Sequence, residues 1–243
     1  MGAKTKKILL TGGNGRLGTE IQKLIACDAP LAEELDVTEF ASCKRAIKKY
    51  NPDIVIHAAA WTDVAGAETH KERCWAVNVI GTENIARAAA GRRLVFISTD
   101  YVFDGEKGNY REDDIPNPKN FYALTKLVGE VIIGQYPNTL IIRTAFKSDG
   151  PWPYERAFTD QWSSHDFVSR LAPDIMRAAL MESLTGVIHI AGARTSMYDL
   201  ARQVSPGVGK MKREEADVPL PRDISLDTSL WKTISSKSNR AKK

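Results

Sequence analysis

The sequence predicts an α/β protein, a doubly wound parallel sheet with a small C-terminal lobe. Three observations predict it. Strand-length and helix-period segments alternate along most of the chain, the strands read as near-continuous apolar runs, and a glycine-rich turn joins the first strand to the first helix. At 243 residues and 43% hydrophobic content, the chain is long enough for one large core with a small appended lobe.

The first unit is the most informative. Lys7-Ile8-Leu9-Leu10-Thr11 reads as a buried strand, and Leu17, Ile21, Leu24 and Ile25 then recur at helical spacing. Between them lies Thr11-Gly12-Gly13-Asn14-Gly15-Arg16-Leu17-Gly18. In a strand-to-helix turn of this kind Gly12 makes the tight turn, Gly15 lets backbone approach a pyrophosphate, and Gly18 allows close helix packing. Unpaired N–H groups at the helix start, around Arg16 and Leu17, then face the anion. This is the phosphate-binding turn of a Rossmann-type sheet.

The alternation continues. Residues 40–50 read as helix, Asp53-Ile54-Val55-Ile56-His57 as strand, residues 74–90 as a long alanine-rich helix and Arg93-Leu94-Val95-Phe96-Ile97-Ser98 as strand. Residues 121–135 follow as helix, Thr139-Leu140-Ile141-Ile142-Arg143 as strand, 173–182 as helix, Gly186-Val187-Ile188-His189-Ile190 as strand and 197–204 as helix. The Pro- and Trp-rich stretch 150–162 breaks the pattern and reads as the start of a substrate-binding lobe. The expected division is a dinucleotide-binding unit over 1–146, a segment over 147–231 that completes the sheet and forms the lobe, and a basic tail over 232–243. The second strand is the weak element, because Ala26-Cys27-Asp28-Ala29 is very short. The acid expected to meet the adenosine ribose is therefore Asp36 or Asp28. Arg16 can hold a 2′-phosphate, which favours NADP and leaves NAD open.

Composition excludes several classes. Cys27, Cys43 and Cys74 have no metal spacing and suit reduced thiols, and His57, His70, His165 and His189 form no ligand pattern, so no metal is expected. No apolar run is long enough to cross a bilayer, and the basic start, Met1 to Lys7, has no secretory apolar region after it; a cytoplasmic protein is expected. Lys232, Lys237, Arg240, Lys242 and Lys243 together exceed the whole net charge of +4. That tail is expected to be solvated and mobile, and without aromatics among its cations it does not read as a nucleic-acid arm. A homodimer is left open.

The chemistry lies in two places. Tyr122 and Lys126 are four apart at the start of a predicted helix, so they share one face, and an ammonium beside a phenol favours its ionised form. Tyr122 can then act as general acid. Thr99 follows the strand that ends at Ser98, at the carboxyl edge where such sheets bind ligands, and its hydroxyl can meet a substrate carbonyl as charge develops. Ser98 is the competing hydroxyl and faces the other way along the strand.

With these segments the chain resembles the extended short-chain dehydrogenases/reductases, and within them the nucleotide-sugar reductases of the dTDP-4-dehydrorhamnose reductase type. The matching stretches are the glycine turn, His57-Ala58-Ala59-Ala60-Trp61-Thr62, Val77-Asn78, Gly81-Thr82-Glu83-Asn84, Ser98-Thr99-Asp100-Tyr101-Val102-Phe103-Asp104-Gly105 and residues 120–130. Arg143-Thr144, Asp160-Gln161 and Asp223-Ile224-Ser225-Leu226-Asp227 also fit.

The resemblance implies that Thr99, Tyr122 and Lys126 are the catalytic hydroxyl, proton donor and lysine, with Lys126 also holding the nicotinamide ribose. It implies Asp36-Val37 on the adenine side, Ser98 and Ala58-Ala59-Ala60 along the cofactor, and Trp61, Asp160 and Gln161 near a nucleotide-sugar substrate. Lys147, Arg156 and Arg194 are candidate diphosphate contacts, and Trp152, like Trp61, a candidate stacking surface. The departures cluster on the substrate side, in Ser148-Asp149-Gly150-Pro151-Trp152-Pro153-Tyr154, Ala65 and Trp162-Ser163-Ser164-His165. The implied reaction is reduction of a sugar C4 ketone. Two alternatives are a non-catalytic cofactor-binding partner, for which the regulatory β subunit of methionine adenosyltransferase is the precedent, and an epimerase or dehydratase, which the single acid Asp100 beside Thr99 disfavours.

Overall fold

The computed structural model describes residues 6–216 and 220–240. From the N-terminus the elements are β1 (Ile8–Thr11), α1 (Arg16–Leu24), α2 (Phe40–Tyr50), β2 (Ile54–His57), α3 (Val64–Thr69) and α4 (Lys71–Trp75). A π-helical turn, Ala76–Ile80, carries α4 into α5 (Gly81–Ala88), followed by β3 (Arg93–Thr99), α6 (Phe121–Gly134) and β4 (Thr139–Thr144). The remainder contains the short strands β5 (Phe146–Lys147), β6 (Arg156–Phe158), β7 (Trp162–Ser163) and β8 (Asp166–Phe167). Then come α7 (Val168–Leu180), β9 (Gly186–His189), β10 (Thr195–Ser196), α8 (Met197–Arg202), β11 (Gly209–Met211) and α9 (Ser229–Arg240). No helix among the described residues is long and apolar enough to cross a membrane.

Five strands form one parallel sheet in the order β1-β2-β3-β4-β9. Alternating side chains sort to its two faces. Ile8, Leu10, Ile54, Ile56, Val95, Ile97, Leu140 and Ile142 pack under α1, α7 and the start of α9. Leu9, Val55, Leu94, Phe96 and Ile141 pack on the opposite face against α2, α5 and α6. With both faces covered the sheet is doubly wound, as the apolar runs predict.

The weak second strand is reduced to one parallel bridge, Leu9 to Asp28, made by Leu10 N–H to Asp28 O (2.8 Å) and Asp28 N–H to Ile8 O (2.9 Å). Asp28 thus flanks β1 on one side and β2 on the other, and the crevice between these neighbours is where such sheets bind ligands. The ends Thr11, His57, Thr99 and Thr144 all lie at the carboxyl edge above it.

The tail differs from expectation. Its residues through Arg240 continue α9; Trp231 is buried, and Ile234 packs against the same core. Two apolar residues three apart dock a helix in which Leu230 is exposed and the other positions are polar. Lys242 and Lys243 lie outside the described residues, as do residues 1–5 of the basic start.

Candidate active site

A cleft of about 950 Å³ runs along that carboxyl edge, at the upper end of the size of small-molecule sites. Gly12, Gly15, Arg16, Leu17 and Gly18 line one end of it, and Ser98, Thr99, Tyr122 and Lys126 another. Asp36, Val37 and Ala58-Ala59-Ala60 also line it. Of the two acids left open by the sequence, Asp36 faces the cleft, while Asp28 is committed through its backbone to β1.

The glycine turn needs its glycines. Gly12 has φ +73, and a Cβ there would sit 2.7 Å from Ala59 N, while a Cβ on Gly18 would sit 2.2 Å from Gly12 O. The turn therefore presses against the Ala58–Ala59 backbone on one side and α1 on the other. Helix α1 starts with no side-chain cap and no acid in its first turn, so its leading N–H groups remain available to an anion. These features fit a dinucleotide pyrophosphate.

A hydrogen-bonded chain ties this turn to the helix that carries Tyr122. Thr82 Oγ1 donates to Asn78 O at 2.6 Å, so it accepts from His57 Nε2 at 3.1 Å. His57 Nδ1 is then the acceptor of the Thr11 hydroxyl at 2.7 Å, and Thr11 Oγ1 accepts from Ala59 N–H at 3.2 Å. Burial pushes His57 down to about 3, which keeps it in this neutral tautomer. The π-helical turn aims Asn78 inward, where its amide donates to Thr125 Oγ1 (2.9 Å) and accepts from Trp61 N–H (2.8 Å). Thr125 in turn donates to Tyr122 O at 2.7 Å.

Tyr122 and Lys126 occupy the first two turns of α6, which Asn120 caps by accepting from Ala123 N–H at 2.8 Å. Both are buried. The expected depression of the phenol by the ammonium is not what the site shows. Burial raises Tyr122 above its ordinary value, opposed by hydrogen bonding with Thr99, and the same burial lowers Lys126 to about 7. Desolvation is the largest cause for both groups. Lys126 Nζ lies 4.1 Å from the Phe96 ring centroid, and Glu130 opposes its shift.

Asp100 is the acid next to this pair. It accepts from Thr99 Oγ1 at 3.1 Å, while its buried Oδ2 has no hydrogen-bond partner among the described residues and lies 4.0 Å from His165 Nδ1. Burial raises its carboxyl from 3.8 to about 7. A folded value above the unfolded one contributes stability that is complete at low pH and is lost as pH rises through about 7. Asp100→Asn keeps the Thr99 hydrogen bond and removes the charge. Its melting temperature is expected to gain on wild type by more at about pH 8 than at about pH 5, and an equal or reversed gain would sink this account.

Other sequence candidates lie elsewhere. Trp61, Asp160 and Gln161 do not line the cleft: Trp61 packs on His70 and Arg73, Asp160 accepts from Arg213 N–H at 2.9 Å, and Gln161 is buried beside α8. Arg156 pairs with Glu215 at 2.6 Å, and Arg194 pairs with Asp223 at 2.8 Å above the Trp162 ring. Trp152 packs between β6 and α8. Lys147 does reach the cleft, and so does His165, which the sequence left unassigned. Strand β5 pairs with β8, Phe146 opposite Asp166, and this distant pairing brings Lys147 and His165 to one wall. No local spacing signals it.

Fold and site together define a Rossmann-type protein of the short-chain dehydrogenase/reductase class. The family model for the RmlD substrate binding domain matches residues 6–151, more than half of the 243, and the chain belongs to that family. It is 34% identical over 202 residues to dTDP-4-dehydrorhamnose reductase of Mycobacterium tuberculosis, covering 76% of this chain and 62% of that protein. It thus spans about three fifths of that relative's length. Methionine adenosyltransferase 2 subunit beta of Xenopus tropicalis is 37% identical over 139 residues, 51% of this chain and 42% of its own. Among solved structures, dTDP-4-dehydrorhamnose reductase of Bacillus anthracis in complex with NADP superposes with a TM-score of 0.86 at 25% identity, covering 95% of this chain and 93% of that one. A hypothetical dTDP-4-dehydrorhamnose reductase of Sulfolobus tokodaii gives 0.84 at 33% identity, with 94% of both chains covered.

Proposed function

We propose that this protein reduces a C4 keto group on a nucleotide-linked deoxysugar with NADPH, Tyr122 giving the proton. The observation that carries the reading is the convergence of Thr99, Tyr122 and Lys126 on the same cleft as the glycine turn. The similarity to dTDP-4-dehydrorhamnose reductases supports the substrate class. Residues 6–146 supply the cofactor side and 147–231 the substrate side.

Bound nicotinamide supplies the hydride. The chain's own groups do the rest. Thr99 at the end of β3 turns its hydroxyl from Asp100 to the carbonyl oxygen as charge builds on it. The Tyr122 phenol, held protonated by burial, releases its proton once an oxyanion is there to take it. Lys126 orients the ribose and, when charged, stabilises the phenolate left behind. Arg16, exposed at the turn, is a cation that a cofactor phosphate meets.

The test is a screen of NADPH consumption with several nucleotide-linked 4-keto-6-deoxy sugars. Consumption with at least one is expected. Tight NADPH binding with no consumption on any would replace this reading by a second one, a non-catalytic cofactor-binding partner. That alternative is favoured by the similarity to methionine adenosyltransferase 2 subunit beta, which spans 51% of this chain.

A further inference from the structure

Two cations from separate elements line the cleft. Arg16 leaves the glycine turn at the start of α1, and Lys147 enters from β5. Strand β5 is pinned by its pairing with β8 and by Asp166 N–H donating to Ala145 O at 3.2 Å, so Lys147 is half-buried with a fixed root. Among the described residues, neither side chain has an ion-pair partner within salt-bridge distance.

The pair is close enough to matter electrostatically. Burial lowers Lys147 below its ordinary value, and the Arg16 charge lowers it further. Asp100 is the acid that pulls the other way, yet its own carboxyl is raised to about 7, so it supplies less than a full countercharge at neutral pH. Like charges lining one cleft and only partly countered by Asp100 are costly, and an anion that meets both removes that cost. A diphosphate carries the charge and the acceptor oxygens to meet both at once.

We propose that Arg16 and Lys147 form a two-cation seat for a diphosphate, one cation from the glycine turn and one from β5. This goes beyond the phosphate-binding turn, because it assigns a clamp to a residue of β5. It rests on the reductase reading, under which both the dinucleotide and the nucleotide-linked sugar carry this group.

The experiment is calorimetric titration of wild type, Lys147→Met and Lys147→Arg with NADPH and, separately, with thymidine diphosphate, at low and high salt. Lys147→Met is expected to weaken at least one probe by about tenfold or more and to flatten its salt dependence, while Lys147→Arg stays within about threefold of wild type. A loss for NADPH identifies the dinucleotide as source, and a loss for thymidine diphosphate identifies the sugar nucleotide. No loss for either probe overturns the seat. Melting temperature separates a packing role: Lys147→Met removes a cation that lacks a partner, so it is expected to melt no lower than wild type, and a binding loss accompanied by a lower melting temperature also overturns it. Wild type that binds thymidine diphosphate through Lys147 but not NADPH would sink the reductase reading and leave the seat standing; wild type that binds neither sinks both.

Discussion

Tyr122→Phe is expected to bind NADPH as wild type does and to lose at least about 10²-fold in turnover. The substitution deletes one hydroxyl and nothing else. The ring stays packed edge-on against Tyr101, with centroids 6.3 Å apart, and remains in the cluster with Ala67, Cys74 and Trp61, so the fold does not depend on the oxygen. The glycine turn and the Asp36–Val37 end of the cleft, the parts proposed to hold the cofactor, are untouched. What is lost is the proton donor. Burial raises this phenol, and a reluctant acid is useful only if an oxyanion forms beside it, which is the situation that Thr99 prepares. Turnover and NADPH affinity measured separately check the expectation. Turnover within about threefold of wild type would remove Tyr122 from the chemistry, and a parallel loss of NADPH affinity would make it a binding residue instead.

How much of this was legible in the sequence follows the range of the forces involved. The five sheet strands were visible because each is a buried apolar run, and the glycine turn because its conformational demand is local, as Gly12 at φ +73 illustrates. Tyr122 and Lys126 were visible because helical spacing puts them on one face and because they open the helix that follows the strand ending at the carboxyl edge. Helix α7 was read five residues short. The reading began at Pro173, which lies inside Val168–Leu180, where Asp149 from outside the helix accepts the first-turn Ser169 N–H at 3.2 Å. The π-helical turn was not legible either, because the alanine-rich run around it reads as regular helix and only Asn78, reaching Trp61 and Thr125, reveals its purpose. His57 looked like a scattered histidine until Thr11 and Thr82 appeared at its two nitrogens. Lys147 and His165 meet through a strand pairing that no spacing in the sequence encodes.

Arg143→Met is expected to destabilise the protein by about 3–5 kcal/mol. Arg143 on β4 and Glu130 on α6 are both nearly fully buried, with the guanidinium Nη2 2.8 Å from Glu130 Oε2 and Nε 3.0 Å from Oε1. Ser98 donates a third bond to Glu130 Oε1 at 2.5 Å, and the guanidinium lies 5.1 Å from the Phe103 ring centroid. Methionine fills much of the volume but leaves a buried carboxylate with one hydroxyl bonded to it and only the more distant charge of Lys126 to balance it. Most of the loss is therefore the cost of the stranded charge rather than the worth of the pair. The double variant Arg143→Met with Glu130→Met removes that charge and is expected to recover a substantial part of the stability, which denaturant unfolding of both variants measures. A single-variant loss under about 1 kcal/mol, or a double variant less stable than the single, would contradict this account of the core. The consequence reaches the active site, because Glu130 is the acid that holds the Lys126 ammonium against the pull of burial. The double variant should thus regain stability without regaining turnover, since Lys126 would lose its countercharge while the fold closes over the gap.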